Sequence, residues 1–311
     1  MDKEKSRALF DAYVQAGGNF IDTANVYGHG ISEEYVGEFI QSEREKFVLA
    51  TKYTISMQEG DPNASGSHRK NMVQSVEKSL RRLKTDFIDL YWVHFWDWLT
   101  PTDELMRGLD DLVRAGKVLY IGISDAPAWR VAQANVMAEL RGWTSFIGLQ
   151  IEYSLIARTP ERELLPMAAA LDIDILAWGA LGGGVLTGKF KNGQGAEDSQ
   201  RKINNENAGR FAGQSPQIVD AVEKLAKLHG CTTGQVALAW LLDRPRPVIP
   251  ILGVRLLEQL QDNLGALSVQ LDPAARMELD EVSAIPLGFP HEFFIKGGPF
   301  FFGGTLASTL P

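Results

Sequence analysis

"MVQSVEKSLRRLKTDFIDLYWVH", residues Met72–His94, carries two different periods in succession. In its first half Val73, Val76, Leu80 and Leu83 fall near spacings of three and four with charges between them, which predicts an amphipathic helix. In its second half "FIDLYWVH", from Phe87, is a near-continuous apolar run, which predicts a short strand covered on both faces. The same alternation runs along the chain. Further apolar runs are "NFIDTA" from Asn19, "FVLATK" from Phe47, "YIGIS" from Tyr120, "FIGLQIEY" from Phe146, "IDILAWG" from Ile173 and "PVIPILG" from Pro247. Helical stretches such as "DELMRGLDDLVRAGK", from Asp103, lie between them. Buried strands alternating with helices predict a parallel sheet flanked by helices.

Seven strands are counted, at a spacing that suits a (β/α)8 TIM barrel better than a doubly wound sheet. The chain opens on a helical segment, "DKEKSRALFDAYVQAGG" from Asp2, so the strand missing from the barrel is its first. With no break in composition, residues 1–311 are expected to form a single domain. A closed barrel has no edges. Loss of the first strand would leave "NFIDTA" and "PVIPILG" facing a gap. The expectation is that these two strands collapse together, or that association with another chain, including self-association, covers them. The longest polar insertion, residues 187–216, follows the sixth strand, and a loop of that length is expected to be functional or disordered.

Composition excludes several functions. The formal charge of −8 argues against nucleic-acid or anionic-membrane binding. Cys231 is the only cysteine, so an internal disulfide and a thiolate zinc site are both excluded; it precedes Thr232 and Thr233, an expected helix start. The charged opening "MDKEKSRALF" lacks the apolar core of a signal peptide, and no apolar run reaches eighteen residues. A cytoplasmic enzyme or binding protein fits these bounds.

The ends of the strands carry the chemistry. "NFID" ends on Asp22, "VLATK" on Lys52, "LYWVH" on His94, "YIGIS" on Ser124, "FIGLQ" on Gln150 and "IDILAW" on Trp178, with Tyr27 shortly after Asp22. Taken singly, Asp22 reads as a helix cap or turn residue, His94 as a satisfied core histidine and Lys52 as a snorkelling surface lysine. In a parallel barrel, however, all strand ends face one mouth, where catalytic residues gather. A carboxylate, an ammonium, an imidazole and a phenol there describe a tuned proton donor rather than a hydrolytic nucleophile, since a neighbouring ammonium favours loss of a phenolic proton. "GGVLTGKF", from Gly183, approaches a Walker A loop with Gly183, Gly188 and Lys189 in register, but Phe190 replaces the magnesium-binding hydroxyl. No G-x-G-x-x-G follows a strand, and no metal-binding motif is present.

"DTANVYG" with "SEEYVGEFI", then "VLATK", "LYWVH", "YIGIS", "GLQIEYSLIAR", "LAWGALGGGVLTGKF" and "VIPILGVRLLEQLQDNLGAL" resemble the landmarks of the aldo-keto reductases, in that family's order and over nearly the whole chain. The wording is similar to the bacterial branch related to potassium-channel beta subunits. The resemblance implies that Asp22, Tyr27, Lys52 and His94 form the family's tetrad. Tyr27 would be the general acid, Lys52 held by Asp22 would promote its proton transfer, and His94 would orient the carbonyl. It further implies that Ser124 and Gln150, with Asp125 beside them, hold the carboxamide of NADP(H), and that Trp178 stacks on its ring. Leu181, Gly182, Lys189 and Arg201 would cover the pyrophosphate. Gly253, Arg255, Gln259 and Asn263 would take the adenosine end, with Arg255 on a 2′-phosphate. Asp125 departs from the Asn of many relatives. Tyr53, Trp96, Trp98, Phe293 and Phe294 are candidates to line a substrate pocket. The function implied is NADPH-dependent reduction of aldehyde or ketone carbonyls to alcohols. The alternative, from the channel-subunit side, is a nucleotide-binding regulatory subunit with a vestigial reductase site.

Overall fold

The structure, a computed structural model, describes residues 1–191, 200–301 and 303. The described chain falls into two compact units. The first comprises Met1–Ile151, Ala168–Trp178 and Arg246–Gly265; the second comprises Glu152–Met167, Gly179–Pro245 and the chain from Ala266 onward.

All seven expected strands form: β1 (Phe20–Asp22), β2 (Val48–Tyr53), β3 (Ile88–Val93), β4 (Val118–Ser124), β5 (Phe146–Glu152), β6 (Asp174–Trp178) and β7 (Val248–Pro250). They lie side by side in chain order, and the paired strands run parallel, as in the register Asp22↔Ala50 and Lys52↔Trp92. The sheet is a curled half-barrel, a (β/α)8 fold lacking one strand. Helices α1 (Lys3–Gln15), α2 (Ile31–Ile40), α3 (Arg69–Leu83), α4 (Thr102–Arg114) and α5 (Ala128–Arg141) alternate with its first five strands.

The two end strands do not collapse together as the sequence suggested. Among the described residues β1 pairs only with β2, and β7 only with β6. A cavity of about 260 Å³ lies there instead, lined by Leu9 and Tyr13 of α1, Phe20 and Ile21 of β1, and Ile249 and Ile251 at β7. Both edge strands are only three residues long, and short edges leave few backbone groups without partners.

The apolar stripe of α3 is also shifted. Met72, Val76, Leu80 and Leu83 are buried, whereas Val73 is 42% exposed. Spacings of four, four and three keep the first set on one face, and Val73 sits one residue, about 100°, around the helix. Asp89, the charge inside the β3 run, has a structural role. It accepts hydrogen bonds from Arg44 Nη2 at 2.5 Å and the Leu49 amide at 2.9 Å, joining β3 to β2 and to the chain before it.

Inside the sheet, Trp92 is fully buried among Ala50, Leu90 and Leu176, with Phe20 and Ile251 packed against them. The indole lies against two neighbouring strands at glycines. A Cβ at Gly122 would sit 2.3 Å from Trp92 Cζ3, and one at Gly148 would sit 2.9 Å from Cη2. Glycine is required there because the tryptophan occupies the space of any other side chain.

In the second unit, α8 (Ser215–His229), α9 (Thr233–Leu242) and α11 (Pro273–Val282) pack together. Thr232 caps α9 in a box with Gln235, confirming the helix start expected after Cys231. The polar insertion is not loop throughout, because Gln200–Asn207 forms α7. Residues 192–199 of that insertion lie outside the described residues. The remaining helices are α6 (Leu164–Ala170), α10 (Leu257–Gly265) and α12 (His291–Phe301).

Overpacking of this kind costs about 1–3 kcal/mol, so Gly122→Ala is expected to lower unfolding free energy by that amount in urea titration. A change smaller than about 0.5 kcal/mol, the usual range for an inconsequential surface substitution, would show that Trp92 has room to move.

Candidate active site

At the end of β1, Asp22 faces Lys52 of the neighbouring strand. Lys52 is fully buried, and its Nζ forms an ion pair with Asp22 Oδ2. The ammonium also donates to the Thr23 carbonyl at 2.9 Å. The second carboxylate oxygen of Asp22 accepts from Gln150 Nε2, on β5, at 3.1 Å. A buried ammonium is tolerated only when paired and hydrogen-bonded, and this one has both.

Tyr27 follows β1 after a short turn, held by its amide donating to the Ala24 carbonyl at 3.1 Å. Gly28 and His29 then take left-handed conformations before α2 begins. Tyr27 is 42% exposed, and Lys52 Nζ lies 5.0 Å from its ring centroid. His94, immediately after β3, meets the same ring edge-on, with centroids 5.9 Å apart and planes at 81°. The four residues read from strand ends and the following turn therefore converge.

Partial burial, and secondarily the Lys52 ammonium, push the His94 pKa down to about 4. The imidazole is neutral at ordinary pH and carries one proton. Its buried Nδ1 has no partner among the described residues. A neutral ring keeps one nitrogen to donate and one to accept.

Ser124 and Gln150 are buried at the ends of β4 and along β5, and Trp178, which ends β6, is half-buried. Asp125, at φ 45°, donates its amide to the Gln150 carbonyl at 3.2 Å and accepts from Trp178 Nε1 at 3.1 Å. After β7, Gly253 and Arg255 lie in the turn before α10, and Gln259 Oε1 accepts from the Arg255 amide at 2.9 Å. Gln259 and Asn263 are one turn apart on α10, so they share a face. These residues belong to the first unit. Leu181, Gly182, Lys189 and Arg201 belong to the second, with Arg201 in α7 rather than in a loop.

The aromatic pocket candidates separate. Tyr53 is fully buried, stacks on Tyr91 at 5.1 Å and donates to the Ser67 carbonyl, so it is core and not pocket lining. Trp96 is buried and Trp98 is 62% exposed. Phe293 and Phe294 are exposed on α12 of the second unit, packed with Phe301. The sequence reading missed the tie from Gln150 to Asp22 and the carbonyl of Thr23 as a partner of Lys52. A carbonyl has no sequence signal, but a Gln at a strand end beside a charged pair is one.

The aldo/keto reductase family model matches residues 1–284. The chain belongs to the aldo/keto reductase family. This aldo/keto reductase is 40% identical over 301 residues to a norsolorinic acid reductase of Emericella nidulans, covering 94% of this chain and 76% of that one. It is 37% identical over 320 residues to an aryl-alcohol dehydrogenase [NADP(+)] of Phanerodontia chrysosporium, covering 96% and 81%. A probable aryl-alcohol dehydrogenase of Saccharomyces cerevisiae is 36% identical over 308 residues, covering 94% and 92%. The chain is thus an enzyme of an oxidoreductase family. Among the described residues no helix is long and apolar enough to cross a membrane, and no group of three or more ligands could hold a metal ion.

His94 gives a pH signature. Its folded pKa, about 4, lies below its ordinary value of 6.5, so on acidification the unfolded chain takes up this proton first. The stability due to neutral His94 is fully present above pH 6.5 and is lost as pH falls toward 4. His94→Gln is therefore expected to flatten the fall in unfolding free energy across that window. Parallel pH profiles for the wild type and the variant would place His94 in a more solvated setting.

Proposed function

We propose that this protein is an NADPH-dependent reductase of aldehyde or ketone carbonyls. The observation that carries the reading is the buried Lys52, tied to Asp22 and lying under the exposed Tyr27 ring, with neutral His94 edge-on beside it. A buried, paired ammonium next to an accessible phenol suits proton donation and gives no nucleophile for hydrolysis. The family relationship supports the same chemistry.

The residues present fit a nicotinamide dinucleotide. Trp178 offers a half-buried aromatic face whose edge is held by Asp125, and Ser124 and Gln150 place polar groups nearby along the strand ends. Arg255 is exposed and makes no ion pair among the described residues, leaving its guanidinium available to a phosphate. The cofactor, when bound, supplies the hydride. Tyr27 gives its hydroxyl proton to the carbonyl oxygen, and the Lys52 ammonium stabilises the negative charge left on the phenol. Asp22 keeps that ammonium in place. His94 donates to the carbonyl oxygen and sets its angle to Tyr27. The names of the relatives point to aromatic substrates, and aryl aldehydes head the panel to be tested.

Tyr27→Phe is expected to lower kcat/KM for carbonyl reduction by about 10²–10⁴-fold, the range for loss of general-acid assistance, with NADPH affinity nearly unchanged. Wild-type turnover in the variant would remove Tyr27 from this role. Tight NADPH binding without turnover of any carbonyl by the wild type would instead favour the regulatory reading.

The wild type is also expected to bind NADPH more tightly than NADH. Arg255→Ala should erase most of that difference, about 1.5–3 kcal/mol for a charge-assisted phosphate contact. Equal dissociation constants for the two cofactors in the wild type would show that Arg255 points elsewhere.

A further inference from the structure

The turn that carries Tyr27 is fastened to the sheet at its two ends by different means. Its first end follows β1, where the Thr23 amide donates to the Ala50 carbonyl at 2.9 Å and the Thr23 carbonyl accepts from Lys52. Its second end is the start of α2, and side chains hold it. The hydroxyls of Ser32 and Thr23 are hydrogen-bonded at 2.7 Å, closing the turn across its base. Glu33, the next residue, is fully buried. Its Oε1 accepts from Thr51 Oγ1 at 2.6 Å, and its Oε2 accepts from Arg82 Nε of α3 at 2.6 Å. Thr51 immediately precedes Lys52 on β2. Arg82 also packs under the turn itself, since a Cβ on Gly30 would sit 2.8 Å from Arg82 Cδ.

Apolar packing alone could seat α2 on the sheet, and burying a carboxylate is unfavourable unless it is paired. What the carboxylate adds is direction, because charge-assisted hydrogen bonds fix an angle and a register that apolar contact leaves loose. The turn needs such a restraint. It is exposed at Tyr27 and passes through left-handed Gly28 and His29 before α2 begins. Resting on the reading of Tyr27 as the general acid, we propose that Glu33 and Ser32 are positioning residues for the reaction. They fix the start of α2 against β1 and β2 and thereby hold the Tyr27 ring over Lys52 and beside His94. Their hydrogen bonds go to Thr23, Thr51 and Arg82, so they act through the backbone of the turn. Loss of either tie lets the phenol drift from the geometry of proton transfer. The cofactor candidates Ser124, Gln150 and Trp178 lie on β4, β5 and β6 and keep their places. The step that suffers is therefore turnover, not cofactor binding.

The test is a double-mutant cycle on the full chain. For the wild type, Glu33→Gln, Ser32→Ala, Tyr27→Phe and each of the first two combined with Tyr27→Phe, kcat is measured with the best aryl aldehyde of the panel, alongside the NADPH dissociation constant. With Tyr27 present, Glu33→Gln is expected to lower kcat by about 10–10²-fold, as a misplacement of about 1 Å does. Ser32→Ala should lower it by about 2–10-fold, the equivalent of one net hydrogen bond. NADPH affinity should stay within about twofold in both. In the Tyr27→Phe background neither change should alter the residual rate by more than about twofold, because residues that act as a unit are not additive. A merely structural role would lower the rate by the same factor in both backgrounds and would overturn the proposal, as would an unchanged kcat in Glu33→Gln. Should Glu33→Gln fail to fold, Ser32→Ala, which removes one hydroxyl from a half-buried position, decides by the same criteria. Reduction of no carbonyl by the wild type, or wild-type kcat in Tyr27→Phe, would overturn the general-acid reading itself, and the inference with it.

Discussion

The buried ammonium of Lys52 is the constraint on which the site depends. A charge removed from water costs several kcal/mol unless partners replace its hydration, and removing one member of such a pair typically costs about 3–5 kcal/mol. Lys52 is held by Asp22 and by the Thr23 carbonyl, and Gln150 holds Asp22 in turn. The β1–β2 register that pairs Asp22 with Ala50 carries the carboxylate to the ammonium, and β5 must lie in the same sheet to bring Gln150. The polar cluster is satisfied only when three strands are correctly placed, so the chemistry and the sheet order specify each other.

Below this cluster, Trp92 fills the inside of the sheet. It fits because Gly122 and Gly148 present no side chain to it. Tyr53, beside Lys52 on β2, stacks on Tyr91 and is fully buried, with its phenol pushed well above the ordinary range by burial. Two tyrosines near Lys52 thus have opposite fates. Tyr53 supports the strand that carries the lysine, while Tyr27, on an exposed turn, can reach a ligand. Exposure separates the core phenol from the one proposed as general acid.

The open side of the sheet lies between its two end strands. β1 and β7 expose short edges, and apolar residues of α1 and of the β7 turn line the space between them. A cavity lined mostly by apolar side chains, with Asp22 and Tyr13 among them, is less costly than a long row of unpaired backbone groups. The three-residue edge strands limit that row without requiring the end strands to meet.

Strand number, strand order and the convergence of Asp22, Tyr27, Lys52 and His94 were legible in the sequence. Hydrophobic period and strand ends are local properties, and parallel strands bring their C-terminal ends to one side of the sheet. The face of α3 was legible to within one residue, because Met72 and Val73 are both apolar and only packing chooses between them. Tertiary structure alone decided that His94 is neutral, that Tyr53 is core, that Gln150 reaches Asp22, and that Asp125 takes the indole N–H of Trp178. Each depends on burial or on partners far away in the chain, with 128 residues separating Gln150 from Asp22. Desolvation and long-range hydrogen bonds have no local sequence period, so they arise only when the strands assemble.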